Sequence, residues 1–375
     1  MSIALNIGFD AQKAFLNTTG PGNYSRNTIN ALCSCYPGNG YFLFTPKKNT
    51  GLYTAPSPAA VIAPENIWWN SVKPLWRTYK ITELAVKSGL HIYHGLSHEL
   101  PVGLEKTGIK SLVTIHDLIF IRFPRFYRAA DRRTLFRRYK HACQTAGQII
   151  SVSHQTKRDI VEYLHVQEEK IDVLYQSVNP LFFQKNLPEE LEQTRRLYSL
   201  PAKFILAPGA IEARKNLGAT LDALLTGNID MPLVVTGKAT KYMNTLRSQI
   251  QSLGKQLIFL RQVTDQELSH LYQMAELTVF PSVFEGFGLP VAEAQACGCA
   301  VLTSNISSMP EAGGDAAYYI NPADPEEIAE GIKQILRNPS LKEELSVNGR
   351  INAERFRPEK YAKSLMNLYL HLHHA

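Results

Sequence analysis

Short runs of β-branched, aromatic and other apolar residues recur along the chain, each followed by a stretch with helical spacing. In the first half they are Ile3–Phe9, Tyr41–Thr45, His91–His94, Leu112–His116, Gln148–Val152 and Ile171–Tyr175. In the second half they are Phe204–Ala207, Leu233–Thr236, Leu257–Leu260, Leu277–Phe280, Ala300–Thr303 and Ala317–Ile320. None alternates strictly between apolar and polar, which is the pattern of strands buried on both faces. The helices between them have legible ends. Asp324-Pro325-Glu326-Glu327 supplies a cap, a proline in the first turn and acids near the helix start. Ile328, Ile332, Ile335 and Leu336 follow at helical spacing, and Asn338-Pro339 closes the segment. Strand and helix in alternation predict an α/β protein with parallel sheets covered by helices on both faces.

The pattern breaks once. Asn179-Pro180 and Leu187-Pro188 bracket a polar stretch, and Pro188–Tyr198 reads as a connecting helix ended by Leu200-Pro201. This predicts two doubly wound domains, at about 1–180 and about 200–355. Ligands of open parallel sheets bind at the carboxyl ends of the strands, so two such domains facing each other would form a cleft.

Residues just after the strands are therefore the candidates for chemistry. After Leu277–Phe280 comes a loop with Glu285, Gly286, Phe287 and Gly288, then a helix starting at Leu289-Pro290. The amides of Phe287, Gly288 and Leu289 would be free at the helix start, an arrangement suited to phosphate. Glu285 would repel phosphate and is better matched to sugar hydroxyls; Glu293, one turn inside the helix, suits a ribose diol. Arg214 and Lys215 follow Phe204–Ala207 and offer a planar fork and a point charge to a diphosphate. Asn216 is placed to cap the helix Leu217–Leu225. In the first half, Thr19-Gly20-Pro21-Gly22-Asn23-Tyr24 puts glycines ahead of a helix, without the third glycine of a dinucleotide fingerprint. His116 ends a buried strand beside Asp117, and taken alone a histidine there is more often structural.

Composition narrows the function classes. The chain has 375 residues, of which 45% are hydrophobic and 19% charged, as in a folded globular protein. Its five cysteines make no zinc or disulfide framework and read as reduced thiols. No apolar run is long enough for a membrane helix, and Met1–Ala11 lacks the features of a signal peptide. This points to the cytoplasm. The formal charge of +7 is concentrated: Arg122–Lys140 holds eight Lys/Arg against the single acid Asp131. The segment interleaves these cations with Phe123, Phe126, Tyr127, Leu135, Phe136 and Tyr139, which suits an anionic membrane surface or a solvated face over a core. No nucleic-acid motif accompanies it. His371, His373 and His374 read as an exposed tail.

The motifs T-G-P-G-N-Y at 19–24, I-H-D-L at 115–118, S-V-S-H-Q-T-K-R-D at 151–159, R-K-N at 214–216 and E-G-F-G-L-P-V-A-E at 285–293 together resemble one family. It is the retaining, nucleotide-sugar-dependent "group 1" (family four) glycosyltransferases, with a two-domain GT-B fold. The resemblance implies that Arg214 and Lys215 clamp the donor diphosphate and that Gly20 and Gly22 bring a backbone amide to the same phosphates. It further implies that Glu293 binds ribose and that Val263 contacts the base through its main chain. Glu285 and the amides of Phe287, Gly288 and Leu289 would hold the sugar, and His116 would lie near its 6-position. His116 and Glu285 are thus the expected catalytic residues. Pro21 departs from the family pattern by removing a donor from its loop. The helix Pro358–Leu372 would cross back to the first domain on a stripe of Tyr361, Leu365, Leu368, Tyr369 and Leu372. The I-H-D-L-I-F-I-R-F-P stretch is most similar to mannosyltransferases of bacterial surface-polysaccharide assembly. That implies GDP-mannose as donor and a glycan or lipid-linked acceptor, with UDP-glucose or a UDP-N-acetylhexosamine as the alternative donor. No cofactor and no metal are expected, because no D-x-D pair follows a strand. A nucleotide-sugar epimerase of the same architecture is the rival enzyme.

Overall fold

The computed structural model describes residues 4–48, 50–64, 69 and 75–374. The chain forms two compact units, one running to Ser177 and taking up the chain again from Pro358, the other Val178–Arg357. The first unit is built on β1 (Asn6–Asp10), β2 (Gly40–Phe44), β3 (Ala60–Ile62), β4 (Ile92–Gly95), β5 (Lys110–Ile115), β6 (Gln148–Ser151) and β7 (Ile171–Val173). All pair in parallel, in the order β3-β2-β1-β4-β5-β6-β7. Ile3, the expected start of the first strand, lies outside the described residues. The short β3 is an addition to the strands read from the sequence. Its three residues are only half-buried or exposed at the sheet edge, and Pro58 and Pro64 on either side leave no long apolar run.

The second unit carries β8 (Ile205–Ala207), β9 (Leu233–Thr236), β10 (Leu257–Leu260), β11 (Leu277–Phe280), β12 (Val301–Ser304) and β13 (Tyr318–Ile320). They are again parallel, in the order β10-β9-β8-β11-β12-β13. β4, β9, β11 and β12 are buried at every position, which is why their sequences do not alternate. In each sheet the order reverses once, between β1 and β4 and between β8 and β11. That switch point is where ligands enter doubly wound folds.

Three sequence expectations change. The helix Pro188–Leu197 belongs to the second unit rather than bridging between domains. Its Thr194 Oγ1 lies 2.6 Å from His270 Nδ1 on the helix Asp265–Met274. Asn216 sits at the helix start with φ 61°, but its side chain donates to the carbonyl of Pro322 at 2.6 Å and makes no cap. The terminal histidines lie in the last turn of the helix Pro358–His374, and the His373 ring meets His91 edge-on at 5.2 Å.

That last helix completes the first unit. It buries Tyr361, Ala362, Leu365, Met366 and Tyr369 in the same core as Ile7, Phe9, Ile29 and Leu32. The phenols are fixed by a buried polar chain. Tyr361 donates to Tyr24 at 2.8 Å and lies 3.0 Å from Thr28 Oγ1. Tyr24 reaches Thr114 at 2.9 Å, Thr114 reaches His94 Nε2 at 2.8 Å, and His94 Nδ1 reaches Tyr369 at 2.7 Å. Every member is satisfied, as burial demands. Tyr369→Ala should therefore destabilise the first unit by about 3–5 kcal/mol. Tyr369→Phe, which removes only the oxygen facing His94, should cost about 1–3 kcal/mol. Urea unfolding measures both, and unchanged midpoints would contradict this anchoring.

Candidate functional site

In the second unit, two loops flank the switch point. The loop after β8 carries Arg214 and Lys215, and the loop after β11 carries Glu285. The structure brings these three together. Arg214 Nη1 is 2.5 Å from Glu285 Oε2, and Arg214 Nε is 2.9 Å from Glu212. Lys215 Nζ is 3.8 Å from Glu285 Oε1 and 5.1 Å from the centre of the Phe280 ring. Burial alone would raise the Glu285 carboxyl, but Arg214 and Lys215 beside it outweigh burial and hold it below the usual carboxylate range. Glu285 is therefore an ionised brace for both cations. The sequence reading assigned it to a sugar and foresaw no pairing with Arg214.

The β11 loop is held by hydroxyls that the sequence reading missed. Ser282 Oγ donates to the carbonyl of Arg214 at 3.0 Å, and Val283 N donates to the same carbonyl at 2.7 Å. Ser307 and Ser308, from the turn after β12, donate to the Glu285 carbonyl at 3.0 and 2.8 Å. Their only signal was position, just beyond the carboxyl end of a strand. Gly209, just after β8, leaves room for Lys215: a Cβ there would lie 2.6 Å from Nζ.

The helix Leu289–Ala296 begins beside this cluster, with Gly288 as its cap residue. Gly288 has φ 119°, and a Cβ on it would lie 2.7 Å from Met309 Cε, so glycine is required on both counts. No side chain caps this helix start. Its first-turn amides and dipole thus favour an anion. Phe287 is buried and packs edge-on against Phe356 at 5.2 Å, so it contributes backbone rather than a free ring. Glu293 lies one turn in, 9% exposed, and accepts from the Tyr272 hydroxyl at 3.3 Å. Burial, helped by Asp265, pushes its carboxyl up to about 7, against smaller lowering effects of Tyr272 and Lys215. Val263 is half-buried between β10 and the helix Asp265–Met274.

The first-unit candidates look different. A short helix, Gln12–Leu16, follows β1, and the next helix starts at Gly20, so the glycine loop is largely its first turn. Pro21 sits in that turn, where a missing N–H is tolerated. The amide of Gly22 already donates to Thr19 O at 2.8 Å and Asn17 Oδ1 at 3.2 Å. A Cβ on Gly22 would fall 1.9 Å from Asn17 O, so the close backbone accounts for the glycine without a phosphate. His116 is 5% exposed. Its Nε2 donates to Leu96 O at 2.9 Å, so Nδ1 accepts from Gln176 at 3.1 Å. Burial pulls it down to about 4 despite the Leu96 bond, and it is neutral near pH 7. Asp117 Oδ1 accepts from Ile119 N at 3.1 Å at the start of a short helix.

The basic segment divides. Arg122 pairs with buried Asp159 at 3.1 Å and Arg138 with Glu99 at 3.1 Å. Tyr139 is buried and stacks on His98 at 4.4 Å, whereas Phe126 and Tyr127 are exposed. Among the described residues, no helix is long and apolar enough to cross a membrane, and no three His, Cys, Asp or Glu are grouped to hold a metal. All five cysteines are free thiols.

Comparison with known proteins places this geometry. Residues 192–352 match the family described as "Glycosyl transferases group 1", and residues 29–180 match "Glycosyltransferase Family 4". The chain is a glycosyltransferase with a family 4 domain in its first unit and a group 1 domain in its second. It is similar to O-antigen chain mannosyltransferase B of Escherichia coli, 27% identical over 285 residues, 74% of each chain. It is also similar to the serotype-specific mannosyltransferase WbdA of Escherichia coli, 29% identical over 273 residues. That match covers 70% of this chain and 34% of WbdA, so the chain spans about a third of that relative's length. Among solved structures, a glycosyltransferase from Rickettsia africae superposes with a TM-score of 0.76 at 18% identity, covering 99% of both chains. The two Rossmann-like units are those of the GT-B fold.

Two pH dependences follow. Glu293 is held above its ordinary 4.5, so its contribution is full below about pH 4.5 and is lost as pH rises through about 7. The stability of Glu293→Gln relative to wild type should therefore rise by up to ~3 kcal/mol between pH 5 and pH 8. A constant difference across parallel melts would refute the buried neutral carboxyl. His116 and His94 are held below 6.5, at about 4 and about 3. Their contribution is present above about pH 6.5 and is lost as pH falls toward 4. Replacing His116 with Gln should flatten the acid limb of a fluorescence-monitored unfolding curve.

Proposed function

We infer that this glycosyltransferase moves a hexosyl group, mannose from GDP-mannose, to a glycan or lipid-linked acceptor of a cell-surface polysaccharide. The observation that carries the reading is the Arg214–Lys215–Glu285 cluster beside the uncapped helix at Gly288. Mannose is supported by the mannosyltransferases among the relatives.

When the donor bond breaks, negative charge develops on the nucleoside diphosphate and positive charge on the sugar ring. Arg214, Lys215 and the amides of Phe287, Gly288 and Leu289 at the helix start stabilise the departing phosphate. Glu285 holds the two cations in register and turns its carboxylate to the sugar hydroxyls. Glu293 takes the ribose diol, and Val263 meets the base through its main chain. His116 offers Nδ1 to a sugar hydroxyl in exchange for its bond to Gln176. Gly20 and Gly22 shape the helix start on the acceptor side. Transfer proceeds with retention, by attack on the face the leaving phosphate vacates, and uses no metal. The enzyme works at the cytoplasmic face of a membrane, with the basic segment toward anionic headgroups.

Thermal shifts over GDP-, UDP- and ADP-sugars test the donor, because a ligand of the native state raises Tm. GDP-mannose should give the largest shift; a larger one with UDP-glucose would overturn mannose in favour of the alternative donor. Arg214→Ala and Lys215→Ala should each weaken GDP binding about 10–100-fold, as loss of a charge-assisted contact predicts. Glu285→Gln, which frees the two cations as well as removing the sugar contact, should reduce turnover more than it changes GDP binding, whereas Glu293→Gln should weaken GDP and GDP-mannose alike. EDTA should leave turnover intact, and a metal-restorable loss would refute the metal-free mechanism.

A further inference from the structure

The first unit holds an open groove of about 400 Å³ that the donor chemistry does not use. Phe120, Ile121 and Pro124 line it from the short helix Ile119–Arg122 and the turn that follows. Arg132, Arg133, Phe136 and Arg137 line it from the helix Ala129–Thr145. Those four positions share one helix face. Arg122 and Arg138 have carboxylate partners, but Arg132, Arg133 and Arg137 have none among the described residues. Arg133 and Arg137 are four apart, where like charges repel. Three unpaired guanidinium groups around an apolar floor lack their counter-charge.

We propose that this groove binds the phosphate end of the acceptor's lipid carrier, a phosphate ester on a hydrocarbon chain. Guanidinium forks match phosphate oxygens in bidentate fashion. The first carbons of the chain lie against Phe120, Ile121, Pro124 and Phe136. A free glycan is the poorer occupant, because the lining has no Asp, Glu, Asn or Gln to accept from sugar hydroxyls. The volume is at the small end for ligand sites, enough for a headgroup and a short length of chain. The inference rests on the acceptor of the proposed function being lipid-linked, and its test reads binding rather than transfer.

The probe is geranyl phosphate, titrated by calorimetry into the full chain at low salt. It should bind, with inorganic phosphate and geraniol each at least about tenfold weaker, because each supplies only half the contacts. The double variant Arg133→Gln/Arg137→Gln should weaken it about tenfold or more. Hydrogen exchange on the wild-type chain, which needs no variant, should show geranyl phosphate protecting residues 119–140 selectively. No binding, equal binding of inorganic phosphate, or protection elsewhere overturns the proposal. Affinity for phosphatidylglycerol vesicles without affinity for geranyl phosphate also overturns it, in favour of diffuse membrane contact. If geranyl phosphate binds as expected but GDP-mannose is not the donor, the groove stands and the donor assignment falls. If transfer from GDP-mannose to a lipid-linked acceptor is measured while geranyl phosphate does not bind, the groove falls and the function stands.

Discussion

A parallel strand covered on both faces can carry almost no polar side chain along its length, so polar chemistry is pushed to its ends. In the second unit, β11 and β12 are buried throughout, and the loops that leave β8 and β11 hold the charges. The strand order reverses between β8 and β11, so the two loops diverge and leave space at their root. The cations of one loop and the carboxylate of the other meet there because of this topology, although about 70 residues separate them in the chain.

Bringing Arg214, Lys215 and Glu285 together creates its own requirement. Partly buried charges need fixed partners, and the surrounding hydroxyls provide the fixing. Ser307 and Ser308 bind the Glu285 backbone carbonyl and hold the loop, while Ser282 ties the Arg214 carbonyl to the Glu285 carboxylate, 3.2 Å away, which it shares with the cations. A second acid nearby takes the opposite state. Glu293 has a phenol and only a weak influence from Lys215, and burial leaves it near neutrality. Two glutamates eight positions apart thus differ in charge through environment alone.

The first unit meets the same constraint with a neutral network. His94, Thr114, Tyr24, Tyr361 and Tyr369 satisfy one another in the core, and two of the five come from the last helix of the chain. The unit is completed only by a segment that follows the entire second unit in sequence. His116 shares this character, with both ring nitrogens bonded to protein, so a sugar would have to displace Gln176.

Local sequence determined the strands and the two charged loops. Apolar runs, a proline in a helix's first turn and an Asp cap act within a few residues, and those signals survive in any tertiary context. The cations of the eleven residues Leu206–Asn216 and the acids and glycines of the nine residues Glu285–Glu293 were legible as a candidate site for the same reason. Partnership was not legible, because a partner is set by which strands lie side by side. Asn216 bonds Pro322 instead of capping its helix, Gly22 answers to Asn17, and half-buried β3 gave too weak an apolar signal to be read. The basic segment shows the division most plainly. Its charge of +7 is written in the residues, but only folding separated Arg122 and Arg138, neutralised by distant acids, from Arg132, Arg133 and Arg137, left facing an apolar groove. Charge is a property of the residue; its compensation is a property of the neighbours that tertiary structure supplies.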